Sequence, residues 1–260
     1  MSAILAVENL EKSFGSVVAA RDINVSIPAE QTIGVIGANG AGKTTFINMI
    51  TGHLTPTKGT IRFEDRDITG MASRDITRLG ISRSFQVAQV FPTMTVLDNM
   101  CIAAAIARRR GGLFGAIATP LRSPDAMAEA EATLELFQIG LYRHTPANTL
   151  PQGIRKLLDI GMAVVGWPRL LLLDEPTSGI SIEEKFNLMS VVMTALKSRK
   201  ITVLFVVHDM EIVGRFAERV LAFYDGTVIA DGPPAETLGQ PRVQELITGV
   251  KLKPAGAAHA

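Results

Sequence analysis

The sequence predicts an α/β fold: a parallel sheet carrying a glycine-rich phosphate loop, with an antiparallel β layer and a block of helices added to it. Three observations lead there. Residues 37–44 read GANGAGKT, preceded by the apolar run Ile33, Val35, Ile36 and followed by Thr45, Phe46, Ile47, Met49 and Ile50 at helical spacing. That is strand, glycine loop, helix, the context in which such a loop binds phosphate. Two further runs, Leu170–Leu173 and Thr202–Val207, are nearly continuous in apolar residues, as strands covered on both faces must be. Short alternating strands crowd the first third of the chain, which points to an antiparallel layer beside the parallel one.

Bulk properties narrow the class. A chain of 260 residues buries a full core and accommodates one or two domains. Its formal net charge of +1 supplies no global field for nucleic acid or an anionic membrane. A single cysteine, Cys101, excludes an internal disulfide and suits a reducing compartment. The start, MSAILAVENLEKSF, lacks the basic region and long apolar run of a signal peptide. No apolar run approaches the length of a spanning helix; Pro168 and Arg169 interrupt the stretch between Asp159 and Asp174. A soluble cytosolic protein is expected.

In chain order, the pattern predicts strands at Ile4–Val7, at Ile23, Val25 and Ile27 ending at Pro28, at Thr32–Ile36 and at Thr60–Phe63. From Thr95 the alternation stops. Thr95–Ala107 is rich in Ala and Ile, and Arg108-Arg109-Arg110 closes it where a helix C-terminus favours cations. GGLFGAIATPLRSP reads as a loop. Ser123 takes an N-cap position with Pro124 in the first turn, and a helix to Phe137 follows; Ile154–Val165 is another. Residues 86–165 are therefore expected to form a helical subdomain within a single domain whose α/β core is 1–85 and 166–240. After it come the strand Leu170–Leu173, the amphipathic helix Ile182–Lys197, the strand Thr202–Val207 and the helix Met210–Ala217. Val220–Phe223 and Val228–Ala230 flank Asp225-Gly226, a hairpin signal. Residues 241–260 form a C-terminal tail whose final KPAGAAHA is expected to be disordered.

The chemistry-bearing residues sit at strand ends. Glycines at 37, 40 and 42 let backbone N–H groups face phosphate oxygens, Lys43 adds a point charge, Thr44 a hydroxyl for Mg²⁺, and the helix N-terminus a partial positive charge. Leu170–Leu173 ends in Asp174-Glu175, which puts two carboxylates at the ligand-binding edge of a parallel sheet. Asp174 is the candidate Mg²⁺ ligand and Glu175 the residue that polarises attacking water. Thr202–Val207 ends in His208-Asp209, and His208 can donate to a γ-phosphate oxygen. A lone glutamine such as Gln86, or a lone strand-end aromatic such as Phe14, carries little weight by itself.

Taken in order, GANGAGKTT, Arg83-Ser84-Phe85-Gln86, LLLLDEPTSG and Val207-His208-Asp209 resemble an ABC-transporter ATPase subunit over nearly the whole chain. The resemblance implies a P-loop NTPase core of the ABC ATPase type, ATP and Mg²⁺ as ligands, and ATP hydrolysis coupled to transport. By matching position, Gly37, Asn39, Gly40, Ala41, Gly42, Lys43, Thr44 and Thr45 resemble Walker A. Gln86 matches the Q-loop, beside the metal and the reacting water; Asp174 and Glu175 match Walker B and its catalytic glutamate; His208 matches the switch histidine; Phe14 matches the aromatic that stacks on adenine; and Gly153 belongs to the signature loop. Finer text at Asp65–Gly70, LGISRSFQ, Val90-Phe91-Pro92, Leu97-Asp98-Asn99 and the loop at 112–120 is similar to the ATPases of hydrophobic (branched-chain) amino-acid importers. That family includes urea, amide and aromatic-acid transporters, so the solute does not follow. The resemblance implies a second ATPase subunit sandwiching two ATP, with a paralogue favoured over a second copy because such importers commonly pair two ATPase chains. It also implies two membrane permease subunits, an external solute-binding protein acting indirectly, no nucleic-acid partner, and a cytoplasmic position on the inner face of the membrane.

Two positions depart from the family pattern. The signature LSxGQ reads Leu150-Pro151-Gln152-Gly153-Ile154, replacing a serine by a residue with neither hydroxyl nor N–H. The D-loop SGLD reads Ser178-Gly179-Ile180-Ser181, without the acid. Both belong to the expected dimer face and bear on hydrolysis rather than on ATP binding. Two other classes fit less well. A soluble ABC ATPase acting on DNA or ribosomes usually carries coiled coils or two cassettes, and this chain has neither heptads nor a basic patch. An exporter ATPase of the lipopolysaccharide type is disfavoured by the 112–120 loop.

Overall fold

In the computed structural model, which describes residues 3–84, 90–108 and 123–248, two sheets share one fold. β1 (Ala3–Phe14) and β2 (Val17–Pro28) form a long hairpin that opens the chain. β3 (Thr32–Gly37) leads through the glycine loop to α1 (Lys43–Ile50), and β4 (Lys58–Phe63) and the two-residue β5 (Arg66–Asp67) follow. α2 (Ser73–Leu79) and β6 (Ile81–Ser84) complete the first segment. The first sheet is antiparallel in the order β2-β1-β4-β5.

Among the described residues, the α-helices that come next are α3 (Val96–Arg108), α4 (Pro124–Leu136) and α5 (Gln152–Val164). Ser123 caps α4 as expected, its hydroxyl accepting from the Ala126 N–H with Pro124 in the first turn. The chain then alternates β7 (Leu170–Asp174), α6 (Ile182–Ser198), β8 (Thr202–Val206) and α7 (Met210–Phe216) before the hairpin β9 (Arg219–Tyr224) and β10 (Thr227–Gly232). Asp225 and Gly226 both take positive φ, 46° and 75°, as a two-residue hairpin turn requires. The second sheet runs β10-β9-β3-β8-β7-β6, parallel throughout except for β10.

Period-two alternation in the central strands feeds two cores. Leu170, Leu172, Leu204, Val206, Ile33 and Val35 face the antiparallel sheet and α1, where Phe46 and Phe223 meet with ring centroids 5.2 Å apart. Leu171, Leu173, Val203, Phe205 and Val220 face the opposite way, toward α3–α7, among Met100, Phe137, Leu158, Val192 and Ile212. This double covering is why the strands carry no polar alternation.

The described elements without a counterpart in the sequence expectation include β5, α2, β6 and, after β10, the short helices Pro234–Gly239 and Pro241–Val243. Among the described residues β6 is an edge strand paired only with β7, and its text Ile-Ser-Arg-Ser offers a single large apolar residue to read. Gln86, the loop at 112–120, Arg109-Arg110 and the final KPAGAAHA fall outside the described residues.

Asn99 holds the entrance to α3. It is fully buried; its Oδ1 accepts from the Phe91 N–H at 2.7 Å, while its Nδ2 donates to the carbonyls of Phe91 at 3.1 Å and Thr95 at 2.9 Å. Replacing it by leucine removes the side chain's bonds to those partly buried backbone groups, each worth about 1–3 kcal/mol when left unsatisfied. Asn99→Leu is expected to lower the urea unfolding free energy of the full chain by roughly 2–4 kcal/mol. A change within experimental error would show that water reaches the loop and replaces the amide.

Candidate functional site

Sheet register builds the site. Val35 of β3 and Asp174 of β7 both pair with Val206 of the strand between them, so the three parallel strands end level with one another. Their C-terminal extensions are the glycine loop, Asp174-Glu175 and Val207-His208. They converge on one cleft of about 150 Å³ lined by Asn39–Thr45, Asp174, Glu175 and His208, with Ala19 of β2 as its outer wall. Ligands of open parallel sheets bind at such carboxyl ends.

Two of the loop's glycines, Gly37 and Gly42, are required by space as well as by conformation. Gly42 has φ 98°, and a Cβ placed on it would lie 2.7 Å from the Ala19 carbonyl oxygen. On Gly37, φ 152°, a Cβ would lie 2.4 Å from the Phe223 carbonyl oxygen. The loop is pinned to the neighbouring hairpin by the Gly226 N–H donating to Ala41 at 3.1 Å, and that hairpin to β2 by the Arg21 N–H donating to Gly226 at 2.8 Å. Lys43 is buried in the loop, its Nζ donating to the carbonyls of Gly37 at 2.7 Å and Ala38 at 2.9 Å. Burial pushes its pKa below the ordinary lysine value, partly offset by the charges of Glu175 and Asp174. Thr44 is exposed at the mouth.

Across the cleft, Glu175 takes φ 48°, a left-handed conformation uncommon for a residue with a side chain and concentrated at functional sites. Its Oε1 lies 3.1 Å from His208 Nε2, which donates when that nitrogen carries the proton. Asp209 caps α7 by accepting from the N–H groups of Glu211 and Ile212 and pairs with Lys185 of α6. Burial raises the Asp209 pKa, but the Lys185 ammonium and the two backbone donors outweigh it, so the carboxyl stays below the usual range. Asp174 accepts from Arg83 Nη2 at 2.6 Å.

The remaining candidates lie elsewhere. Phe14 is half exposed at the tip of β1, with Lys12 Nζ 5.2 Å from its ring centroid, and does not line the cleft. Gly153 opens α5 and is likewise outside the cleft. Pro151 is the N-cap residue of that helix and makes no side-chain capping bond. Ser181 caps α6 by accepting from the Glu184 N–H, so the missing D-loop acid is replaced by another capping side chain. Sequence reasoning missed Arg83 and Lys156. Lys156 of α5 is buried; burial lowers its pKa, opposed by the charges of Asp159, Asp174 and Glu175. A cation one turn into an amphipathic helix gives no sign of burial in the sequence.

The family described as ABC transporter matches residues 20–178. The chain belongs to the ABC transporter family of ATP-binding proteins. The high-affinity branched-chain amino acid transport ATP-binding protein LivG of Salmonella typhimurium is 33% identical over 243 residues, covering 92% of this chain and 95% of that protein. BraF of Pseudomonas aeruginosa, described in the same terms, is 32% identical over 95% of this chain and 98% of its own length. Among solved structures, an ATP-binding cassette of an ABC transporter in its ADP conformation, MJ1267, superposes with TM-score 0.84 at 30% identity, covering 95% of this chain and 98% of that one. This ABC ATPase therefore has the ABC cassette fold, binds adenine nucleotide and hydrolyses ATP.

Lys43 gives a direct test of the cleft. Because its pKa is lowered in the fold, the protonated ammonium is disfavoured at neutral pH, and that disadvantage fades only as pH rises through the folded pKa toward the ordinary lysine value. Lys43→Ala is expected to leave the melting temperature without nucleotide unchanged or raised. ATP-induced stabilisation should largely vanish, and turnover should fall about a hundredfold or more. A variant that keeps both the ATP-induced shift and turnover would remove Lys43 from the phosphate site.

Proposed function

We propose that this chain is the ATPase subunit of an ABC importer for branched-chain amino acids or a related small solute, pairing with another ATPase subunit and driving two permease subunits. The observation that carries the reading is the convergence of the glycine loop, Asp174, Glu175 and His208 on one cleft. The relatives' printed role in branched-chain amino acid transport supports the choice of solute. In this reading, loop N–H groups and Lys43 hold the β- and γ-phosphates, Asn39, Ala41 and Thr45 shape the loop, and Phe14 stacks on adenine. Glu175 polarises the attacking water, and His208 orients Glu175 and the γ-phosphate. Gln86 couples the site to the membrane subunits.

Mg²⁺ fits the donor set. It prefers hard oxygen ligands, usually one or two carboxylates with phosphate and water, and Thr44 and Asp174 line one cleft as hydroxyl and carboxylate. Those two would hold the metal, with Gln86 beside it; when bound, it neutralises charge that develops on the phosphates.

Among the described residues no helix is long and apolar enough to cross a membrane, so attachment to the inner face of the membrane runs through permease subunits. The helical subdomain, about residues 86–165, supplies the docking side. A groove of about 420 Å³ runs between it and the core, its apolar wall formed by Ile102, Ala103, Ile106, Met162 and Ala163. Ile106 is 58% exposed, a placement that suits an interface. An external binding protein delivers solute and never touches this chain; nucleic acid plays no part.

The solute is tested by deleting the coding sequence and measuring uptake of labelled leucine, isoleucine and valine. Loss of uptake, restored by the wild-type chain, supports the reading, and unchanged uptake overturns the choice of solute. For the mechanism, Glu175→Gln is expected to cut kcat about a hundredfold or more while an ATP-bound dimer persists on gel filtration. Wild-type turnover with no dimer removes Glu175 from the role.

The signature loop sets a further expectation. If each ATP is capped by the partner's Pro151–Gly153 segment, a homodimer lacks the serine hydroxyl at both sites. A hydrogen bond to a charged group contributes about 1.5–3 kcal/mol, or about tenfold or more in rate. Pro151→Ser in the isolated chain is therefore expected to raise the ATPase rate several-fold at high protein concentration, and a paralogue with an intact serine is the favoured cellular partner. No rise, with a wild-type rate already typical of transport ATPases, would show that Gly153 and the N–H groups opening α5 suffice.

A further inference from the structure

Arg83 does not itself line the nucleotide cleft but grips Asp174, one of the cleft's walls, from behind, and the role proposed above does not use it. It sits on edge strand β6, held in register by β7 with Arg83 opposite Leu172 and Ser84 opposite Leu173. Its side chain is 10% exposed. Nη2 donates to Asp174 Oδ2 at 2.6 Å, and Nη1 donates to Asn48 Oδ1 of α1 at 2.7 Å. One planar fork thus ties the carboxylate at the end of β7 to the helix that carries Lys43 and Thr44. Next to it, Ser84 Oγ donates to Asp159 of α5 at 2.9 Å, anchoring the same strand to the helical block. Arg83 also lines the groove between core and helices.

We propose that Arg83 is a positioning residue for Asp174: it fixes the orientation of that carboxylate relative to Thr44 and moderates its negative charge, so that the metal held there is placed for turnover rather than bound as tightly as the bare carboxylate would bind it. The proposal rests on the reading of Asp174 as a metal ligand. Guanidinium is suited to the task because it stays protonated and its fork geometry fixes angles as well as distances, which an ammonium cannot. The contact uses Oδ2 of Asp174, and Oδ1 lies outside it. An Arg serving only to hold strands together predicts something different: its loss would loosen the cleft, weakening metal binding and turnover together. Loss of a charge-moderating clamp moves the two in opposite directions.

The test measures Mn²⁺ binding by electron paramagnetic resonance in the presence of a non-hydrolysable ATP analogue, alongside kcat with Mg²⁺-ATP, on the full chain. Arg83→Met removes the positive charge beside the carboxylate and is expected to tighten Mn²⁺ binding by roughly fivefold while kcat falls about tenfold or more. Arg83→Lys keeps the charge but loses the fork to Asn48. It is expected to bind Mn²⁺ within about twofold of wild type with kcat reduced several-fold, and it carries the test if Arg83→Met does not fold. Arg83→Met binding Mn²⁺ unchanged or more weakly, or Arg83→Lys turning over at the wild-type rate, overturns the proposal. Asp174→Asn is the accompanying control. If it leaves Mn²⁺ affinity unchanged, the metal reading itself fails and takes the proposal with it. If it weakens Mn²⁺ binding while the Arg83 variants do not behave as described, only the role of Arg83 fails.

Discussion

The parallel register of β3, β8 and β7 is the constraint from which the site follows. Because Val35 and Asp174 both lie opposite Val206, three loops distant in sequence leave the sheet at the same height and on the same edge. The register is in turn held by burial on both faces: each of these strands sends alternate side chains into two different cores. A one-residue slip in β8 would exchange Val203 and Phe205 with Leu204 and Val206 between cores of different shape. It would also carry His208 away from Glu175. Packing energy thus fixes the positions of groups that contribute little to packing themselves.

The cleft and the elements packed behind Asp174 and Glu175 gather opposed charges that the fold must hold apart. Lys43 is buried in the loop, Lys156 and Arg83 approach from α5 and β6, and Asp174 and Glu175 face them from the end of β7. Burial lowers the pKa of both lysines while the carboxylates oppose the shift, so each charge is tolerated because the others are present. Removing one member therefore alters the field at all the rest. That is why metal affinity and turnover, rather than turnover alone, separate the roles of these groups.

Much of the fold was legible because its signals are local. Apolar runs mark β7 and β8, Asp225-Gly226 marks the last hairpin, and Ser123-Pro124 marks the start of α4, each through physics that acts within a few residues. The family resemblance rested on the same short stretches, and the family match confirms it. What sequence reading missed is long-range or weakly patterned. β6 has one large apolar residue, so periodicity gives it no signature. Arg83 meets Asp174 across 91 positions of sequence, and Lys156 is buried by a tertiary neighbourhood that its own helix does not announce. Phe14, singled out only by resemblance, lies at the tip of β1 away from the cleft walls, at a distance that local pattern could not supply.

The two departures on the proposed dimer face differ in kind, and the structure separates them. At Ser181 the family's acid has gone, yet the position still caps its helix through a side-chain oxygen accepting from Glu184. What is lost is a charge, while the local fold is retained. At Pro151 the residue keeps an extended conformation, φ −52° and ψ 149°, and its carbonyl accepts from the Arg155 N–H at 3.0 Å, so α5 starts as it should. Proline fits the backbone there because an N-cap residue needs no N–H of its own and its φ lies close to what the ring imposes. Both substitutions are thus compatible with the fold and alter only the groups offered outward. Under the proposed function, a chain that keeps its own nucleotide cleft while changing what it offers a partner would form an asymmetric dimer, its site completed by the other subunit and its loops completing the other's site less well.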